Sequence, residues 1–164
     1  MNRLVPLGAA ASLVAASMAA DAACPIELAV YGDPASGIEL DFTPGSGNAL
    51  VTNGYRMLLG GDVVLTGFVM RSEDVERSWG TVMHDCPEGD VTGDEIAACT
   101  VWEGIVYAVS EKGEVTLLPP EDNPAPPTLL FAGLGPFVRQ SEAYARSGLA
   151  AAPSDVFALK GCQE

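Results

Sequence analysis

The chain has 164 residues, with 22 Asp and Glu against 8 Lys and Arg, a formal net charge of −14 and 48% hydrophobic residues. So high an apolar fraction excludes a disordered chain, and the length fits a single folded domain. The charge has the wrong sign for nucleic-acid phosphates or an anionic membrane surface, which excludes both as partners.

Residues 1–22 read as a secretory signal peptide. Arg3 precedes an apolar run from about Leu4 to Ala20, and the small residues of Ala20-Asp21-Ala22 meet the requirement of a signal peptidase for cleavage after Ala22. Ser17-Met18-Ala19 offers a second cut, after Ala19. Asp21 argues against the two rivals. A retained anchor ends in a basic patch, and acylation on Cys24 needs an aliphatic residue three positions earlier. Removing residues 1–22 deletes one base, Arg3, and one acid, Asp21, so the mature domain, residues 23–164, keeps a charge of −14 with 21 acids and 7 bases.

Along the mature chain, Ile26–Tyr31 and Ile38–Phe42 flank Gly32-Asp33-Pro34-Ala35-Ser36-Gly37. The second run alternates, with Ile38, Leu40 and Phe42 on one face, as a half-buried strand does. Turn residues between the two runs predict a hairpin. Ala49–Leu59 and Asp62–Met70 flank Gly60-Gly61, a strong two-residue hairpin signal because such turns need positive φ. Arg71–Arg77 reads as a loop or single helical turn, and Ser78–His84 as a strand with Trp79, Thr81 and Met83 on one face. Cys86–Asp94 is rich in turn residues. Thr100–Val109 is the clearest long strand; Trp102, Val106 and Ala108 share one face, and Glu103-Gly104 permits a bulge. Glu111–Glu114 turns the chain into Val115–Leu118. Residues 119–127 hold five prolines in nine positions, which predicts a surface crossover outside any central ladder. Thr128–Ala132 and Asp155–Leu159 read as strands. Phe137–Ser147 reads as one helix, with Pro136 at its start and Gly148 at its end, turning Phe137, Ala143 and Tyr144 inward.

About eight or nine short strands with one short C-terminal helix predict a mainly β domain, an antiparallel sandwich or small barrel. Four cysteines in an exported chain predict two disulfides. Three pairings are possible. Cys24–Cys162, tying the two ends, with Cys86–Cys99, closing a short acidic loop, is the favoured one.

Site chemistry is thin. Asp85, Glu88, Asp90, Asp94 and Glu95 form the densest carboxylate run and are weak calcium candidates, since their spacing does not match a Ca²⁺ loop. His84 with Cys86 lacks zinc-ligand spacing, and no C-x-x-C dithiol is present. Glu103, beside Trp102, is the best single candidate for a general acid if buried. Ser46, in Gly45-Ser46-Gly47, lacks the context of a nucleophile elbow. No phosphate-cradling glycine motif occurs, so no cofactor is expected. The expectation is an exported acidic β-domain, periplasmic or secreted and monomeric, that binds a protein or ligand or has a structural role without being an enzyme. One alternative is an acidic inhibitor or scavenger of a cationic protein; another is a carboxylate-dependent hydrolase.

Overall fold

Two-residue periodicity repeats in run after run of this chain, and each such run becomes a strand with one face turned into a common interior. The computed structural model describes residues 24–45, 50–72 and 75–163; the expected leader and Ser46 lie outside them. A 3-10 turn at Ile26–Leu28 leads into β1 (Ala29–Gly32), β2 (Glu39–Thr43), β3 (Val51–Gly60), β4 (Val63–Arg71) and β5 (Ser78–Met83). Helix α1 (Gly93–Cys99) then precedes β6 (Thr100–Val109), β7 (Val115–Leu117) and β8 (Thr128–Phe131). Helices α2 (Leu134–Gln140) and α3 (Glu142–Ser147) precede the last strand, β9 (Val156–Cys162).

Every pairing is antiparallel, and eight strands close into a barrel in the order β1-β2-β3-β4-β5-β6-β8-β9. The ninth, β7, adds to the edge of β6 beyond the reach of β5. Closure leaves no open edge on the eight paired strands. Of the two architectures expected, the chain adopts the barrel. Both disulfides also form as expected, Cys24–Cys162 and Cys86–Cys99. The first ties β9 to Cys24, two residues before the 3-10 turn, across the seam where β1 meets β9.

Side chains fill the interior. Tyr31, Phe42, Tyr55, Trp102, Phe131 and Phe157 are buried and meet ring to ring, with centroids 5.5 to 5.8 Å apart. These tilted and edge-on contacts suit the quadrupoles of the rings. Room for two of the largest comes from glycine. A Cβ on Gly67 would lie 2.2 Å from the Tyr55 ring and 2.6 Å from the Thr81 carbonyl oxygen, and one on Gly104 would lie 2.5 Å from the Trp102 ring. Tyr55 must also keep its hydroxyl bond to that same Thr81 carbonyl, at 2.9 Å. Gly67→Ala is therefore expected to lower the unfolding free energy by about 3 kcal/mol, the upper range for overpacking. Urea unfolding measures it, and a loss below about 1 kcal/mol would show that the ring can move aside freely.

The meander puts the β1–β2, β3–β4, β5–β6 and β8–β9 connections at one end of the barrel, and α1, α2 and α3 lie there. The proline-rich crossover spans the other end. There Tyr31 Oη donates to Pro126 O at 2.8 Å, Asn53 Nδ2 to Pro119 O at 3.3 Å and Ser78 Oγ to Leu118 O at 3.4 Å. Inward-facing polar groups at the barrel mouth thus find acceptors in a segment whose prolines have carbonyls but no N–H to satisfy.

Three sequence expectations need correction. Helical structure is not one C-terminal helix: α1 is a further helix, and the C-terminal one divides at Ser141 into α2 and α3. Ser141 Oγ accepts from Tyr144 N at 3.2 Å and so starts a new helix at that point. The break re-aims the side chains. Ala143 is buried and Tyr144 half-buried as expected, but Phe137 is 58% exposed. Finally, the irregularity in β6 falls where Val82–Met83 pairs with Trp102 and Thr100, leaving Val101 extra, and not at Glu103-Gly104.

Candidate functional site

The helical end of the barrel gathers most of the residues singled out in the sequence. Thr92 begins α1 with a capping box: its hydroxyl accepts from Glu95 N at 3.3 Å, while the Glu95 carboxylate accepts from Thr92 N at 2.9 Å. That bond and the one from the Thr92 hydroxyl hold the Glu95 carboxyl below its usual range. The helix buries no side chain and is tethered instead by covalent and backbone bonds. Cys86–Cys99 staples its C-terminal end, and His84 N donates to Cys99 O at 2.9 Å. The result is a fixed acidic lobe standing off the barrel wall.

Across from α1 lies α3. Its Arg146 Nη2 donates to Asp85 Oδ2 at 2.9 Å and lies 3.1 Å from His84 Nε2. Asp85 takes a left-handed backbone, φ 52°, that a short polar side chain tolerates. The hydrogen bond from Arg146, joined by the charges of His84 and Arg146, holds the Asp85 carboxyl below its ordinary value. Between the two helices is a cleft of about 710 Å³ lined by His84, Asp85, Glu95, Phe137, Glu142 and Arg146 among others. Three carboxylates and one guanidinium make it an acidic cleft with an exposed aromatic ring at its wall.

The other candidates are placed as follows. Glu88, Asp90 and Asp94 are exposed on the acidic lobe. With Asp85 engaged by Arg146, the described residues hold no group of three or more His, Cys, Asp or Glu side chains arranged for a metal ion. Glu103 is exposed on the outer face of β6, opposite Thr81, so the burial that a general acid there requires is not met. Among the described residues, buried aromatic rings in mutual contact occupy the interior, in the space where a ligand-binding barrel keeps a cavity. The acidic run was visible in the sequence, but the cleft was not, because Arg146 reaches Asp85 from 61 residues away. Helix α1 did have a local signal, the Thr92-x-x-Glu95 spacing.

Among the described residues, no helix is long and apolar enough to cross a membrane. The two disulfides are consistent with an oxidising, extracytoplasmic compartment. No family model, curated protein or solved structure matches the chain.

Proposed function

We propose that this protein is an exported, non-enzymatic binding barrel that works through its outer surface, and that its acidic helical end takes a cationic protein. The leader-like residues 1–22 would deliver it to the periplasm or beyond. One observation carries the reading: a lobe bearing Asp85, Glu88, Asp90, Asp94 and Glu95 is locked by Cys86–Cys99 beside an acidic cleft, so the charge is presented on a rigid platform. Preorganised charge of one sign raises the encounter rate with an oppositely charged surface and excludes like-charged ones. A filled barrel interior supports an external mode of binding over enclosure of a small ligand.

The test is capture from a periplasmic extract on the immobilised processed protein, at low salt and at about 0.3 M salt, where the Debye length falls below about 8 Å. The expected result is one or a few basic proteins retained at low salt and released at high salt. Neutralising Glu88, Asp90 and Asp94 together (E88Q, D90N, D94N) should slow association at low salt by about tenfold, with little change in dissociation. Retention that is indifferent to salt, or no partner at either salt, would overturn the proposal.

A further inference from the structure

The cleft at the helical end already holds one guanidinium, the chain's own. Arg146 Nη2 donates to Asp85 Oδ2 at 2.9 Å and lies 3.3 and 3.1 Å from Nδ1 and Nε2 of His84. A nitrogen so nearly equidistant from both ring nitrogens is in line with neither of them. In the ring plane it would collide with Cε1, so it sits over the imidazole face. A carboxylate at the end of the guanidinium and a ring beneath it are the two contacts that suit an arginine head. His84 makes a fixed floor, because only 12% of its side chain is exposed.

The occupant is held loosely. The side chains of Arg146 and Asp85 are 55% and 71% exposed, so water competes for both. Arg146 also has a second place to go. Glu142 lies four residues earlier on α3 and lines the same cleft. A glutamate four residues before an arginine is the favoured order for a pair on one helix face. Yet among the described residues Glu142 has no ion-pair partner, and Arg146 reaches across to Asp85 instead.

We propose that the Asp85–His84 seat recognises an arginine side chain of the cationic partner, and that Arg146 is a built-in competitor which the incoming guanidinium displaces onto Glu142. This inference rests on reading the helical end as the surface that takes a cationic protein, and it names the group read there. The seat is shown to fit a guanidinium by the one it holds. Phe137, 58% exposed at the cleft wall, gives apolar cover to the methylene stem of the incoming side chain. Lysine lacks the planar head that lies flat on the ring, so it displaces Arg146 less well.

The probe is n-butylguanidinium, which carries the arginine side chain without its backbone. Titrated into the processed protein at constant ionic strength, it should move the amide resonances of His84, Asp85 and Glu142. An exposed ion pair at the strong end of its range is closed about five times as often as it is open, so Arg146→Gln should lower the Kd about fivefold. Arg139→Gln makes the same change of charge on α2, outside the cleft, and should alter the Kd less than about twofold. Asp85→Asn added to Arg146→Gln should abolish the gain; Asn tolerates the left-handed backbone at that position. The Arg146→Gln protein should bind n-butylammonium at least about threefold more weakly than n-butylguanidinium. Far-UV circular dichroism and Tm should match wild type in every variant, since each replaced side chain is exposed. The assignment is overturned by Arg146→Gln binding no tighter than Arg139→Gln, by a gain that survives Asp85→Asn, by equal affinity for the ammonium, or by no binding to Arg146→Gln up to about 50 mM. Capture from extract depends on Glu88, Asp90 and Asp94, which lie outside the cleft lining, and the titration needs no partner protein, so the two fail separately.

Discussion

Replacing Cys24 and Cys162 together by Ser should lower the unfolding free energy by about 5 kcal/mol, the largest effect expected of any change in this protein. The sequence separation is 138 residues, so in the unfolded chain this link closes a loop of nearly the whole domain. Constraint of the unfolded ensemble grows with the logarithm of loop length. The corresponding change at Cys86 and Cys99, with a separation of 13, should cost about 3 kcal/mol. The long link also acts where the barrel is most exposed to fraying. β1 and β9 are the first and last strands of the barrel and meet at its closing seam, and Cys24 and Cys162 lie at the end of that seam. Domains of this size are stable by about 5–15 kcal/mol, so the variant should be marginal at 37 °C. Urea unfolding gives the measurement. Alongside the lower midpoint, a steeper m-value is expected, because an uncrosslinked unfolded chain exposes more surface. A loss no larger than that of the Cys86–Cys99 variant would show that loop length does not govern the effect.

What could be read from the sequence was what local chemistry decides. The Gly60-Gly61 hairpin, the alternation in Ile38–Phe42 and the inward face of Trp102, Val106 and Ala108 each depend on residues a few positions apart, and each is present. Barrel closure depends instead on β5 meeting β6 and β1 meeting β9, and local patterning is the same in an open sandwich. The start of α2, at Leu134, is likewise set from a distance. Asp155 Oδ2 and Oδ1 accept from Gly133 N and Gly135 N at 2.9 and 2.7 Å, so the helix is capped by a carboxylate 20 or more residues downstream. One unbroken helix would turn Phe137 inward, and the chain breaks that phase at Ser141. Of the candidate site, the sequence showed the acidic side alone. Its other wall, α2 and α3, is brought over by the β8–β9 connection, and Arg146 sits among residues that look like an ordinary solvated helix face.

Asp33 is the second position where a single change should have a large effect, and the reason again lies in a long-range contact. It sits in the β1–β2 turn, 2% exposed, and its carboxylate accepts four hydrogen bonds. Oδ1 takes Ala35 N and Ser154 Oγ, both at 2.9 Å, and Oδ2 takes Ser154 N at 2.9 Å and the Ser36 hydroxyl. The first hairpin is thereby fastened to the segment that delivers β9 to the seam. Burial alone would raise the pKa of this carboxyl, but the bonds from Ser36, Ser154 and Ala35 together outweigh it and bring the pKa below the usual value. Asp33→Ala removes the acceptor of all four bonds and leaves partly buried donors at Ser36 and Ser154 without it, so a loss of about 3 kcal/mol is expected near pH 7. Asp33→Asn keeps the size but turns an N–H₂ toward at least one donor, and should cost about 2–3 kcal/mol. The pH dependence follows from the direction of the shift. Because the native pKa is depressed, the carboxylate's contribution is complete above the unfolded value of about 4 and is lost as pH falls through the native one. The stability gap between wild type and Asp33→Asn should therefore be constant from neutral pH down to about pH 5 and shrink below about pH 4. Urea titrations at stepped pH measure that gap. One that stays constant into strong acid would mean that the charge on Asp33 contributes nothing and the turn is held by shape alone.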